Sequence, residues 1–158
     1  MVEVNEEIVC KWLEEVKGFF VVTDIKYRVK GGWSDIDIIA HHPITDESWV
    51  LQVKGWHTET VYPYYAKSFK QLSPRALNAI RNKLGNRKFK RILVVPQLSE
   101  NEKTRQRTFQ EFKKKGMDDI VDFKTVLQEL INTIDKHKSY DNRVLQTLRL
   151  LKIYKPKI

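Results

Sequence analysis

Three strand-like runs follow one another directly in this chain, and their order limits what it can fold into. "FFVVTDIKYRV" is rich in β-branched and aromatic residues, Gly31 and Gly32 turn it into "SDIDIIA", and the loop "HHPITDES" leads to "WVLQVKGW". An amphipathic helix precedes them. Asn5 is placed to cap it, Ile8, Val9, Trp12, Leu13 and Val16 keep the helical period, and Gly18 closes it. After them comes a basic helix ending near Leu84 with Gly85 as its stop; the pair Ser73-Pro74 marks an alternative start, so one helix or two fit.

The second half alternates. "KRILVVP" is a short buried-type strand, "SENEKTRQRTFQEFKKKG" a helix with a capping box in Ser99 and Glu102, and "DIVDF" another strand. Two amphipathic helices, "KTVLQELINTIDKH" and "NRVLQTLRLLKIY", complete the chain. This order predicts a single three-layer α/β/α domain over 1–158 with a mixed central β-sheet and a core over about 3–134. The leucine-rich C-terminal helix, about 140–152, is a candidate homodimer interface.

Composition narrows the function classes. With 41% hydrophobic and 31% charged residues, neither a disordered nor a fibrous class fits. The net charge of +9 favours a polyanionic partner. One cysteine, Cys10, rules out an internal disulfide framework or a thiolate zinc cluster. The acid-rich N-terminus does not read as a signal peptide, and no apolar run reaches the ~20 residues of a membrane span. A soluble, cytoplasmic chain with no membrane association is expected.

Polar groups in the second and third runs carry the chemistry. Side chains alternate along a strand, so Asp35 and Asp37 share one face and Ile36 and Ile38 the other, while Gln52 and Lys54 share a face opposite Leu51 and Val53. A turn centred between Ile44 and Thr45 sets Asp37 across from Gln52, with Lys54 adjacent to Gln52 and Asp35. That cluster holds what metal-assisted phosphodiester hydrolysis needs: hard oxygen donors from Asp37 and the Gln52 carbonyl, and a cation beside the water or phosphate.

"DIDIIA" and "VLQVKG", in this order and spacing, resemble the PD-(D/E)xK nucleases, the restriction-endonuclease-like superfamily. The glutamine-containing branch, such as Mrr-type endonucleases, is the most similar, with archaeal Holliday-junction resolvases more distant. The resemblance implies that Asp37 and Gln52 bind Mg2+ or Mn2+, and that Lys54 positions or activates the attacking water. It also implies a glutamate from the first helix. Glu6 is the choice for that role because it falls off the apolar stripe, with Glu7 the accessory candidate and Asp35 a supporting residue. Two departures are visible: Ile36 replaces the family proline, and neutral Gln52 removes a negative charge from the metal site. The expected activity is therefore a metal-dependent endonuclease acting on DNA, with RNA left open. The alternative is a nuclease-like module that binds nucleic acid or assembles without cutting.

For nucleic-acid contact, Lys67, Lys70, Arg75 and Arg81 are the choices for phosphates, with Tyr62, Tyr64 and Tyr65 upstream for stacking. Arg87, Lys88, Lys90 and Arg91 form a denser basic patch, and the groups at Lys103, Arg105 and Arg107 and in "FKKKG" leave the docking face open. The four tryptophans are assigned to the core. The adjacent His41 and His42 are read as turn residues, and His57 and Glu59 beyond Lys54 as loop residues that reach the same cleft if the strand continues.

Overall fold

Five strands pair in the order β1-β2-β3-β4-β5: β1 (Phe20–Val29), β2 (Gly32–His41), β3 (Ser48–Val53), β4 (Lys90–Val95) and β5 (Asp119–Asp122). The first three are antiparallel, whereas β3, β4 and β5 are parallel, so the sheet is mixed. The computed structural model describes residues 3–54 and 71–157. Around the sheet lie α1 (Val4–Trp12), α2 (Pro74–Leu84), α3 (Glu102–Lys114), α4 (Phe123–Thr133) and α5 (Arg143–Tyr154). No helix among the described residues is long and apolar enough to cross a membrane.

Alternation along β4 shows how the layers form. Ile92 and Val94 join a core with Trp12 and Leu13, and with Val126 and Leu130 of α4 and Leu145 of α5. Leu93 and Val95 point the other way, into a cluster with Phe112 of α3. On that second side α2 adds Ala79, Ile80 and Leu84 over Ile39 and Val50. Helices therefore cover both faces, and β4 is apolar from Ile92 to Val95 because a parallel strand between two helical layers has no solvated side.

Helix ends follow local chemistry, and three differ from the sequence expectation. Asn5 lies inside α1 rather than capping it: the N-cap is Glu3, which makes no side-chain capping bond. The first helix also changes to a π-helical turn over Leu13–Lys17, and Gly18 closes it with φ 76, a left-handed conformation that glycine adopts without strain. In α3 the cap is Asn101, whose side chain accepts from the Thr104 N–H, while Ser99 instead accepts from the Asn101 N–H at 3.2 Å. The Ser99 and Glu102 capping box is absent because the helix starts two residues too late for it. Ser73 caps α2 with Pro74 in the first turn, so the Ser73-Pro74 start is the one adopted. The C-terminal helix begins at Arg143, after an Asn142 cap, rather than near 140.

The β1–β2 ladder runs the full length of both strands, from Phe20↔His41 to Val29↔Gly32. The β2–β3 ladder covers only Ile38↔Leu51 to His41↔Ser48. The distal half of the β1–β2 hairpin therefore projects past β3 as an arm. Strict alternation fails at the root of this arm: Ile38 joins the cluster around Trp12, but Ile36 packs with Ile25, Ile39 and Val50. The expectation that Ile36 and Ile38 share a face is thus corrected. Its cause lies across the ladder, where Asp24, opposite Asp37, has φ 55 and the pair is skipped. One left-handed residue in an extended strand turns the chain and re-aims the side chains beyond it.

Leu130 is fully buried between α4 and the sheet. Leu130→Ala should lower unfolding free energy by about 2–5 kcal/mol, read as a reduced denaturant midpoint with an unchanged m-value.

Candidate active site

The antiparallel ladder that ends at Ile38↔Leu51 has the register implied by a turn at Ile44–Thr45, and one further step would pair Asp37 with Gln52. That step is made by a side chain instead. Asp37 Oδ2 accepts the Val53 N–H at 2.7 Å, so the carboxylate closes the ladder and is pinned against the end of β3. The next amide, Lys54 N–H, donates to the Val94 carbonyl at 2.9 Å, which ties the same strand end to β4. His41 and His42 hold the connecting turn: His41 Nδ1 lies 2.8 Å from Ser48 Oγ, and His42 Nδ1 accepts the Ile44 and Thr45 N–H groups at 3.2 and 3.1 Å. Their role is structural, as the turn position suggests.

A cleft of about 460 Å³ opens where the arm leaves β3. Asp35, Asp37, Gln52 and Lys54 all line it, so four residues picked from the two short motifs meet at one opening. The start of α2 forms another wall, through Gln71, Ser73 and Ala76. A helix N-terminus directs its positive dipole end and its N–H groups outward, which favours an anion on this side. Arg91 lines the cleft as well, although the sequence grouped it with a surface patch. It is 8% exposed and its guanidinium reaches the Lys115 carbonyl at 3.4 Å, so it belongs to the interior of the site wall. Arg91 escaped notice because its neighbour across β3, Val50, is set by parallel pairing of strands far apart in sequence.

The two first-helix glutamates separate clearly. Glu7 turns away: its carboxylate accepts the Arg143 guanidinium at 2.6 and 2.9 Å and the Asn142 amide at 3.4 Å, and this pairing holds it below the ordinary carboxylate range. Glu7 is therefore a tether between α1 and α5, and its accessory place in the site is withdrawn. Glu6 does not line the cleft itself, but its carboxyl feels the charge of the acids there. Loss of solvent, then the negative charges of Asp37, Glu3, Asp35 and Asp24, push its carboxyl up to about 7. Asp37 is raised too, by burial first, against the lowering effects of the Val53 N–H bond and the Lys54 charge.

Carboxyls raised chiefly by loss of solvent, with nearby acids adding to the effect, mark a place where negative charge is poorly compensated. Among the described residues, no group of three or more His, Cys, Asp or Glu side chains is placed to hold a metal ion. Asp37 and Gln52, which both line the cleft, carry hard oxygens that could serve a cation there. Such a pair suits a cation such as magnesium or manganese that keeps several waters and shares phosphate oxygens, rather than one enclosed by protein.

Apart from Lys54 and Arg91, the described basic residues chosen for phosphate contact do not line the cleft. Arg75, Arg81, Arg87 and Lys88 are exposed. Arg81, Arg87 and Lys88 border one depression at the end of α2, where Arg87 also lies 3.3 Å from Asp46. Arg75 sits near the start of α2 and donates to the Arg28 carbonyl in the arm at 3.2 Å. Lys67, Lys70, Tyr62, Tyr64, Tyr65, Trp56, His57 and Glu59 lie outside the described residues. No protein-family model matches the chain, and none of the curated proteins or solved structures compared with it is significantly similar.

Glu6 also sets a pH signature. Between its ordinary value of 4.5 and about 7 the folded state holds this proton more tightly than the unfolded state. Stability should therefore fall as pH rises through that window. Glu6→Gln should stabilise the chain above about pH 7 and have no effect below 4.5. The gain should be on the order of 1 kcal/mol, discounted because the side chain keeps solvent contact. Denaturant midpoints across pH check it.

Proposed function

We propose that this chain is a metal-dependent endonuclease that hydrolyses DNA phosphodiester bonds, with a restriction-endonuclease-like arrangement around its mixed sheet. The observation that carries this reading is the meeting of Asp37, Gln52 and Lys54 in one cleft, with Asp37 fixed by the Val53 N–H. The motifs "DIDIIA" and "VLQVKG" that resemble PD-(D/E)xK nucleases supply these three residues.

In this reading, Asp37 and the Gln52 carbonyl hold magnesium or manganese, which would supply Lewis acidity to the phosphate oxygens. Lys54 extends the same strand end and orients the attacking water while its charge offsets that gathering on the phosphate. Water adds to phosphorus, the 3′ oxygen leaves, and the products carry a 5′-phosphate and a 3′-hydroxyl. Glu6 supports the site from α1, with a carboxyl raised enough to exchange a proton near neutral pH. The N-terminus of α2 and Arg91 add favourable potential for the phosphate.

Cleavage of supercoiled plasmid and of branched or single-stranded DNA, with magnesium, manganese or EDTA, tests the proposal. Wild type should cut only with metal. Asp37→Ala and Lys54→Ala should each lose about 10²–10⁴-fold in rate. Equal cleavage by all three proteins would remove the site from consideration.

A second reading rests on Gln52, whose neutral amide leaves Asp37 as the one carboxylate of the proposed donor pair. A chain that binds nucleic acid without cutting it would show salt-sensitive DNA binding and no metal-dependent cleavage. Gln52→Glu separates the two: in an active enzyme the added charge should lower the magnesium concentration at half-maximal rate, measured by titrating cleavage against metal.

A further inference from the structure

The arm formed by β1 and β2 carries an aromatic side chain with no place in the core. Trp33 is 67% exposed, whereas Trp12 is 2% exposed and packs under α1. The assignment of every tryptophan to the core is thus corrected at Trp33. An exposed indole offers a flat apolar face that a partner can cover. Its surroundings indicate the chemistry of the cover. Arg28 pairs with Trp33 across the ladder, and its guanidinium carbon lies 5.8 Å from the ring centroid. Lys30 is exposed in the two-residue turn, where Gly31 adopts φ 88. Lys26 is partly balanced by Asp24 at 4.0 Å, so Arg28 and Lys30 provide most of the positive charge.

The arm is held in position and is continuous with the cleft. Arg75 anchors it to α2 through the Arg28 carbonyl at 3.2 Å, and Tyr27 packs on the cluster with Ile80. Trp33, Ser34, Asp35 and Lys26 line a depression of about 500 Å³, and Ser34 and Asp35 line the catalytic cleft as well. Trp33 and Asp37 are four residues apart on β2, about 13 Å at 3.3 Å per residue. That spans about four nucleotide steps at 3.4 Å each.

We infer that the arm selects the substrate: Trp33 stacks on an unpaired nucleobase while Arg28 and Lys30 hold neighbouring phosphates, so the preferred nucleic acid has unpaired nucleotides beside the cut phosphate. A paired base is stacked on both sides and has no free face for an indole, whereas a base in a gap, flap or branch does. The inference rests on the nuclease reading for its distance to the cleft, but stacking itself needs no chemistry at Asp37.

Binding without cleavage separates the two. Labelled DNA, either fully paired or the same duplex with a short single-stranded gap, is titrated in EDTA with wild type, Trp33→Ala and Trp33→Phe, and anisotropy gives Kd. Wild type should prefer the gapped duplex. Trp33→Ala should weaken gapped binding about 5- to 100-fold, change paired binding less than about twofold, and keep the wild-type circular dichroism. Trp33→Phe should recover most of the loss. Equal weakening on both DNAs, or no weakening, overturns the inference and leaves the nuclease reading intact. A change of oligomeric state in Trp33→Ala, seen by sedimentation, would assign the indole to contact with a second copy and also overturn it. Failure of wild type to bind either DNA would remove the nucleic-acid reading itself.

Discussion

The fold depends on how the β2–β3 ladder ends. Backbone pairing stops at Ile38↔Leu51, and the next donor, the Val53 N–H, is taken by the Asp37 carboxylate at 2.7 Å. A buried amide without a partner costs about 1–3 kcal/mol, so a strand that ends inside the structure needs an acceptor at this point. The acceptor is a charged side chain, and the bond is charge-assisted and short. The same contact frees the distal hairpin from β3, opens the cleft and fixes one carboxylate oxygen in it. Structure and proposed chemistry thus share one bond.

Charge balance around that bond explains the rest of the site. Asp37 gains from Lys54 and from the Val53 amide, yet burial still raises it, and Glu6 is raised by its own burial first and then by the nearby acids. Each carboxylate makes its neighbour harder to ionise, and a divalent cation would relieve both. Glu7, one residue on, escapes this field because Arg143 holds it on the far side of α1. Adjacent helix positions point about 100° apart, which is enough to leave one glutamate in the field of the cleft acids and send the other to α5. Arg75, next to the cleft-lining Ser73 and Ala76, and Arg28 and Lys30 on the arm do not line the cleft, an arrangement that suits a substrate whose phosphates lie along the rim while one of them reaches the centre.

Much of this was legible in the sequence because it depends on short-range rules. The helix stop at Gly18, a tight glycine turn between β1 and β2, and the register that sets Asp37 toward Gln52 follow from turn chemistry and from a period of two. The turn itself is Lys30-Gly31, with Gly32 already in β2, and Ser73-Pro74 is one of two helix starts that the sequence allows. The choice of Glu6 over Glu7 came from the apolar stripe of one helix. What escaped depends on distant partners or on single dihedrals. The left-handed Asp24 that re-aims Ile36 has no sequence mark beyond being an aspartate. Arg91 reaches the cleft wall only because β3 and β4 pair in parallel across the 36 residues between Val53 and Lys90. The Glu7–Arg143 pair joins positions separated by 136 residues. Trp33 resembled a core residue by type, and its exposure follows from an arm that projects past the sheet.

The central claim is that the end of β3 beside Asp37 is a divalent-cation site. Paramagnetic broadening of backbone amide signals by substoichiometric Mn2+ tests it most directly, since the effect falls steeply with distance and needs no substrate. The amides of Val53, Lys54 and Asp37 should broaden first, Glu6 next, and all of them should stay sharp in Asp37→Asn at the same Mn2+. Broadening centred elsewhere on the chain, or unchanged by Asp37→Asn, would contradict the account.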